Sequence, residues 1–392
     1  MVVADARPHP ADIPATASAT PARALVTSLA VRDFRNLARV DIAPPPEGFA
    51  LVGENGQGKT NLLEAIHYLQ LLRSFRGARD AELVRFDTAG FYVAAEIANA
   101  PHRTVSAGFE RAGKRKRVLV DGNERQRLTD ALGAFPAVLF SPRDAEIVAG
   151  APGARRRFLD MMLALSSRPY LAALQRYRAA LAQRSAAMRR PGVAGARQEQ
   201  SVAVWEAPLA EHGAVLWRAR RDWTLAQRAR YAELCAAIGE RTPADLSYAS
   251  SIGEPDDPEA ALRDALARNR AGDIRRGLTH AGPHRDDLSL TLGGRDLRAF
   301  GSAGQQRTAA IALRLLESAT RRAASGSEPV ILLDDPFAEL DGRRAARILE
   351  LLVAQGSGQT MLAVPRADDI PARLTRLARY QISAGAVRSE SA

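Results

Sequence analysis

Cysteine is almost absent from this chain of 392 residues: Cys235 stands alone, which rules out an intramolecular disulfide and fits a reducing compartment. Long apolar runs are missing too. No stretch approaches the roughly 18 residues that a membrane-crossing helix needs, so no such helix is expected. The opening residues, MVVADARPHPADIPATASATPAR, lack the basic segment and apolar core of a secretory signal. Residues 1–24 read instead as a disordered extension, or as an over-long start assignment. No repeat of fixed period is visible. Lysine is the other scarcity: Lys59, Lys114 and Lys116 alone interrupt a basic complement otherwise made of arginine.

What is present is enough for two or three domains and a large core, with 46% hydrophobic and 25% charged residues. Such a chain folds without a metal or disulfide to hold it. The 55 basic residues exceed the 44 acidic ones by 11, and the pI is near 10.5. A protein this basic meets polyanions, nucleic acid first among them, unless its arginines merely reflect an arginine-rich proteome. Charge alone does not separate these readings.

Residues 53–60, GENGQGKT, fit the pattern G-x-x-x-x-G-K-[ST], in which backbone N–H groups cradle phosphates at the start of a helix. A lysine here is no compositional accident in so arginine-rich a chain. Its compact ammonium suits a phosphate-wrapping loop better than a planar guanidinium does. Before the loop stands the apolar run GFALVG; after it, TNLLEAIHYLQLL is apolar at helical spacing. The order strand, loop, helix makes Gly53, Glu54, Asn55, Gly56, Gln57, Gly58, Lys59, Thr60 and Asn61 candidates for holding a nucleotide's phosphates.

Around this loop, residues 25–125 read mostly as short strands of period two. From 145 to 275 the pattern turns to long Ala/Leu/Arg helices, with a Pro/Gly break at RRPGVAG. Strands return at LSLTLGG, followed by a helix over 305–322, the run PVILLDD, a helix over 343–352 and the strand TMLAV. The nucleotide fold is thus split, over 25–144 and 276–392, around a helical insertion over 145–275, and the head is expected to persist when that insertion is removed. VILLDD would deliver Asp334 to the Mg²⁺ of a bound nucleotide and Asp335 to the attacking water, or would simply end a strand in a turn. Ser302 and Gly304 open a helix whose exposed N–H groups attract an anion; because one loop already holds the phosphates in cis, that anion would be a second protomer's nucleotide, unless Ser302 is only a cap.

The set GENGQGKT, SAGQQ at 302–306, LLDD at 332–335 and ELD at 339–341 resembles the Walker A, signature, Walker B and D-loop of ABC-type ATPase heads. Within that class RSFRG at 73–77, FSPRD at 140–144, RRRFLD at 155–160 and GPHRDD at 282–287 are similar to the RecF family of bacterial recombination mediators. The resemblance runs from about residue 25 to 347. It implies an α/β, ABC-type P-loop ATPase head with mixed sheets and an inserted helical lobe. It further implies a cytoplasmic protein of recombinational repair and replication-fork maintenance, with weak DNA-stimulated ATPase activity. ATP and Mg²⁺ are the implied cofactors. DNA (duplex, gapped or single-stranded), RecR and a second copy joined through ATP are the implied partners, with no membrane partner.

Carried onto this sequence, Lys59 would meet the β/γ-phosphates, Thr60 and Asp334 the Mg²⁺, and Asp335 the attacking water. Ser302, Gly304 and Gln305 would cap the partner's γ-phosphate. The arginines of RSFR and of the insertion become candidates for DNA or inter-protomer contact. The chain departs from the general ABC pattern in three places: Asp335 replaces the usual Glu, Pro365 and Arg366 stand where a switch histidine is expected, and FSPRD offers no Q-loop glutamine. A transporter ATPase would need that histidine and a membrane partner. A structural ATPase of the SMC type would need hundreds of heptad residues, and a small-molecule kinase would need no signature.

Overall fold

Four short runs that are apolar at almost every position, Gly48–Val52, Ala137–Phe140, Val330–Asp334 and Thr360–Val364, have no face to offer water, and each forms a strand buried along its length. The computed structural model describes residues 22–190, 195–336, 342–354 and 358–390. In it these strands lie parallel in the order Gly48–Val52, Thr360–Val364, Val330–Asp334, Ala137–Phe140. Ala378–Ser383 adds a parallel neighbour to Gly48–Val52, and Ala386–Ser389 closes that edge antiparallel.

The two-residue period of a strand divides this sheet's side chains between two cores. Phe49, Leu51, Leu332 and Met361 enter one, together with the Lys59–Leu71 helix and an antiparallel sheet ordered Leu37–Ile42, Leu25–Phe34, Gly90–Ala98, Thr104–Glu110, Arg115–Val120, Asn123–Glu124. The helix is therefore sandwiched and buried nearly all round. Ala50, Val52, Leu333 and Leu362 enter the other, with helices Pro152–Ser166, Arg168–Met188, Glu206–Ile238 and Ala303–Ser325.

Three expectations need amendment. Ala22–Arg23, inside the expected extension, is a short strand parallel to Ser327–Glu328, and the buried Ala24 donates its N–H to the Glu328 carbonyl at 3.0 Å. Residues 1–21, and 191–194 of the Pro/Gly break, lie outside the described residues. The insertion is also not helical throughout: Ala244–Ala249 is a strand paired in register with Asp287–Leu292, beyond the expected boundary at 275. Nor is the insertion self-contained, because Phe158, Trp223 and Tyr231 share one continuous core with the sheet residues Ala50, Phe140 and Leu333.

Ionic contacts reinforce that joint. Arg155 of RRRFLD donates to both carboxylate oxygens of Asp287 in GPHRDD at 2.8 and 2.7 Å, and Arg156 to the Asp286 carbonyl at 2.8 Å. Arg220 donates to Asp160 at 2.6 Å, to the Tyr170 hydroxyl at 3.0 Å and to the Pro283 carbonyl at 2.7 Å. Tyr248 donates to Asp286 at 2.5 Å. The two motifs thus face each other. Arg155 and Arg220 are buried and committed to these bonds, and the buried Arg184 donates to Asp273 at 2.8 Å, so the three are not available to DNA.

Two outcomes are expected. Replacing 145–275 by a Gly/Ser linker strips partners from the core face carrying Ala50 and Leu333, so the shortened chain should aggregate on gel filtration. A monodisperse product with a cooperative melt would show that the head folds alone. Asp160→Ala leaves the Arg220 guanidinium buried without its carboxylate and should cost about 3–5 kcal/mol in urea unfolding. Arg263→Ala, which breaks the exposed pair with Glu259, should cost far less.

Candidate nucleotide-binding site

The register of the central sheet sets Val52 against Val364 and Asp334 against Ala363, so the carboxyl ends of strands 282 positions apart open on one side. Ligands of open parallel sheets sit outside those ends. The loop after Val52 turns there, and two glycines permit its path. A Cβ on Gly53 would lie 2.4 Å from the Ile382 carbonyl oxygen, and Gly58, at φ +118°, would press one to 2.8 Å from Asn36 Oδ1.

The loop is braced from outside. Asn36 Nδ2 donates to the Gln57 carbonyl at 3.0 Å, and Asn61 Nδ2 donates to Asn36 Oδ1 at 2.8 Å. The Gln57 carbonyl also accepts from Gly385 N at 2.9 Å, and its side chain accepts from Ala384 N at 2.6 Å. Lys59 Nζ donates to the carbonyls of Gly53 and of Glu54, the latter at 2.9 Å. Burial lowers the Lys59 pKa, against the opposing pull of Asp335 and Asp334.

Across the mouth, Thr60 Oγ1 donates to Asp334 Oδ1 at 2.8 Å. Burial raises the Asp334 pKa, which the Thr60 hydrogen bond opposes and the adjacent Asp335 reinforces. Asp335 turns into the left-handed region at φ +45° while its N–H still bonds the Ala363 carbonyl at 3.1 Å. Burial raises its pKa as well, against Lys59 and Arg307, and so makes it a better proton acceptor. Thr60 and Asp334 are the hard oxygen donors that Mg²⁺ takes. Among the described residues no group of three or more His, Cys, Asp or Glu converges, so a cation here would share a ligand's oxygens.

These residues line a cleft of about 450 Å³ that also takes in Phe75, Arg76, Ser141, Pro142 and Arg143. Of the residues expected from the sequence, Asn55, Gly56, Gly58, Lys59, Thr60, Asn61, Asp334 and Asp335 line it, whereas Glu54 and Gln57 shape the loop from behind. Sequence reasoning missed Asn36, and it missed the reason for Arg76. That guanidinium donates to Asn61 Oδ1 at 2.9 Å and reaches Glu64, a fully buried carboxylate that also holds Arg35 at 3.0 and 3.2 Å and accepts from Ser74 Oγ. RSFR is therefore pinned to the loop's helix. FSPRD enters the cleft through Ser141, Pro142 and Arg143.

Ser302 and Gln305 are elsewhere. They line a separate cleft of about 610 Å³ with Gly239, Arg241, Arg343 and Arg347, and the two clefts share no residue. Ser302 does cap its helix: its Oγ accepts from Gln305 N at 3.3 Å, and Gln305 Oε1 accepts from Ser302 N at 3.0 Å. The Gly304 carbonyl accepts from Arg344 at 3.1 Å. Residues 339–341, the expected D-loop, lie outside the described residues.

Comparison with known proteins accords with this geometry. Residues 25–369 match the family model described as RecF/RecN/SMC N terminal domain. DNA replication and repair protein RecF of Frankia alni is 37% identical over 376 residues, covering 92% of this chain and 98% of its own. That of Anaeromyxobacter dehalogenans is 39% identical over 371 residues with the same coverage. A solved structure of the recombination mediator protein RecF with ATPrS, in the RecFOR pathway, superposes with a TM-score of 0.84 at 28% identity, over 95% of this chain and 99% of that one. The Smc head domain of Pyrococcus furiosus shares the fold, at a TM-score of 0.55 and 18% identity over 94% of this chain and 96% of that one. Among the described residues no helix is long and apolar enough to cross a membrane. With an ABC/SMC-type head, a braced phosphate loop and these relatives along nearly its whole length, the chain belongs to the RecF family.

Proposed function

We propose that this chain is an ATP-dependent DNA-binding protein of recombinational repair and replication-fork maintenance in the cytoplasm, which closes on duplex or gapped DNA as an ATP-sandwiched dimer and helps RecR load the recombinase. The observation that carries this reading is the separation of the Lys59 cleft from the Ser302 cleft within one chain. Each is half a site. Two copies related by a twofold axis would set each Ser302 helix against the other's nucleotide, so that ATP joins the pair.

In this reading the loop from Gly53 to Thr60 wraps the triphosphate, and the Lys59 ammonium leaves its loop carbonyls for the β/γ-oxygens. Thr60 and Asp334 hold Mg²⁺, which supplies charge neutralisation to those oxygens when bound. Asp335 orients and deprotonates the attacking water; its raised pKa favours the proton transfer, and its arm, shorter than glutamate's, fits slow turnover used as a switch. Ser302, Gly304 and Gln305 close on the partner's γ-phosphate. Solved relatives carrying ATP and ATPrS support nucleotide as the ligand. The surplus of 11 positive charges, and relatives named for DNA replication and repair, support DNA as the partner.

Complementation tests the shared site. Lys59→Met should lose ATP binding, and Ser302→Arg should bind ATP as a monomer yet fail to close. Mixed, the two form a heterodimer with one intact composite site, so ATPase activity and ATP-dependent dimer should exceed the mean of the separate variants. Activity no higher than that mean overturns the shared site. Adding Asp335→Asn to the Ser302→Arg chain should then raise dimer while lowering turnover. For DNA, contact with about five phosphates predicts a log–log salt slope of roughly −4 to −5 on duplex, and a flat dependence would sink DNA binding.

A further inference from the structure

Beside the nucleotide cleft lies a second cavity of about 430 Å³, walled from it by Phe75, Ser141 and Arg143, which belong to both. Its floor is apolar and aromatic, built from Phe75, Leu139, Ile147, Phe158 and Met161. Its rim carries Arg73, Arg143 and Arg157, exposed guanidiniums that pair with no carboxylate among the described residues. Arg73 donates to Met161 Sδ at 3.5 Å and Arg143 to the Arg76 carbonyl at 3.5 Å. Of the acids lining the cavity, Asp144 and Glu317 are both held by Arg314, at 2.7 and 2.6 Å, which leaves Glu146 as the one unpaired carboxylate.

The floor also holds an unmet polar atom. His67 is 7% exposed and its Nδ1 has no hydrogen-bond partner, while its ring meets Phe75 edge-on at 5.6 Å. Burial, then Arg314 and Arg73, push its pKa down to about 3, so the ring is neutral. Guanidiniums that face no carboxylate at the rim select a phosphate; an apolar, aromatic floor selects a planar ring.

We infer that this cavity is a second nucleotide site, which takes one nucleoside monophosphate unit with its phosphate on Arg73, Arg143 and Arg157 and its base on the floor among Phe75, Phe158 and Met161. The unit is either a free nucleotide or the end of a single strand, since both present the same chemistry. Its walls come from the loop after the phosphate-binding helix, from FSPRD, and, through Arg314 and Glu317, from the helix that begins at Ser302, so an occupant touches the wall of the nucleotide cleft and the middle of that helix. The site is complete within one chain and does not depend on dimerisation.

Equilibrium dialysis with the full-length Lys59→Met protein, in which the phosphate loop is disabled, tests this. Deoxyadenosine monophosphate or a single-stranded deoxyadenylate pentamer should bind at one equivalent per chain. Binding of the monophosphate assigns the free nucleotide as a source; binding of the pentamer alone assigns the strand end. Arg73→Glu with Arg157→Glu should weaken binding at least about tenfold. Met161→Trp, which fills the floor without changing charge, should do the same, and made in the protein that retains Lys59 all three substitutions should leave ATP binding unchanged. Failure of both probes to bind overturns the site, as does binding indifferent to Met161→Trp. Inorganic phosphate competing as well as the monophosphate overturns the assignment of a base.

Discussion

A 2.8 Å hydrogen bond between Thr60 and Asp334 spans 274 positions of sequence, and most of the architecture serves to make it. It exists because Thr360–Val364 lies between Val330–Asp334, which ends in Asp334, and Gly48–Val52, which leads into the loop and helix that carry Thr60, and pairs with both strands in parallel. A slip of one residue would turn Phe49, Leu332 and Met361 to the opposite core and carry Asp334 away from the loop. Burial on both faces makes that slip costly. The site's geometry therefore follows from the packing of the sheet on both its faces.

The preference for arginine has a structural counterpart inside the protein. Arg35 and Arg155 each grip both oxygens of one carboxylate, Glu64 and Asp287, a bidentate match for a planar fork that a lysine ammonium cannot make. Lysine is kept where one point charge is needed, at Lys59 on the loop carbonyls and at Lys116 on Leu72 and Asp80. Every internal pair contributes nothing to net charge. The excess of 11 therefore resides outside these pairs, where a polyanion can meet it.

The phosphate loop, its strand and helix, and the acid-tipped strand were legible because each is a local pattern. The helix at 59–71 shows why the rest was not. A periodic reading assigns its polar positions to solvent, yet the helix is sandwiched, and Glu64, His67 and Gln70 are all buried. Glu64 gathers Arg35, Arg76 and Ser74; Gln70 accepts from Ala137 N at 3.0 Å; His67 faces the second cavity. Asn36 braces the loop from a turn with no motif of its own. Ala244–Ala249 went unread because its partner strand lies in a different part of the chain, and pairing at that range leaves no local trace.

The helix Ala303–Ser325 binds these parts into one mechanism. Arg307 donates to the Pro336 carbonyl at 3.0 Å, just past Asp335, and Arg314 donates to Asp144 at 2.7 Å, just past the cleft residues Ser141 and Arg143. Arg314 also stacks over Phe158 of the inserted helices, 5.7 Å from its ring. The helix that presents Ser302 is thus clamped to both edges of the nucleotide cleft. A displacement of Asp335 or of FSPRD is transmitted along a rigid rod rather than lost in a loop, because packed cores shift as units. In the proposed dimer one chain's phosphate cleft would in this way set the position of the surface it offers to the other, although the two clefts have no residue in common.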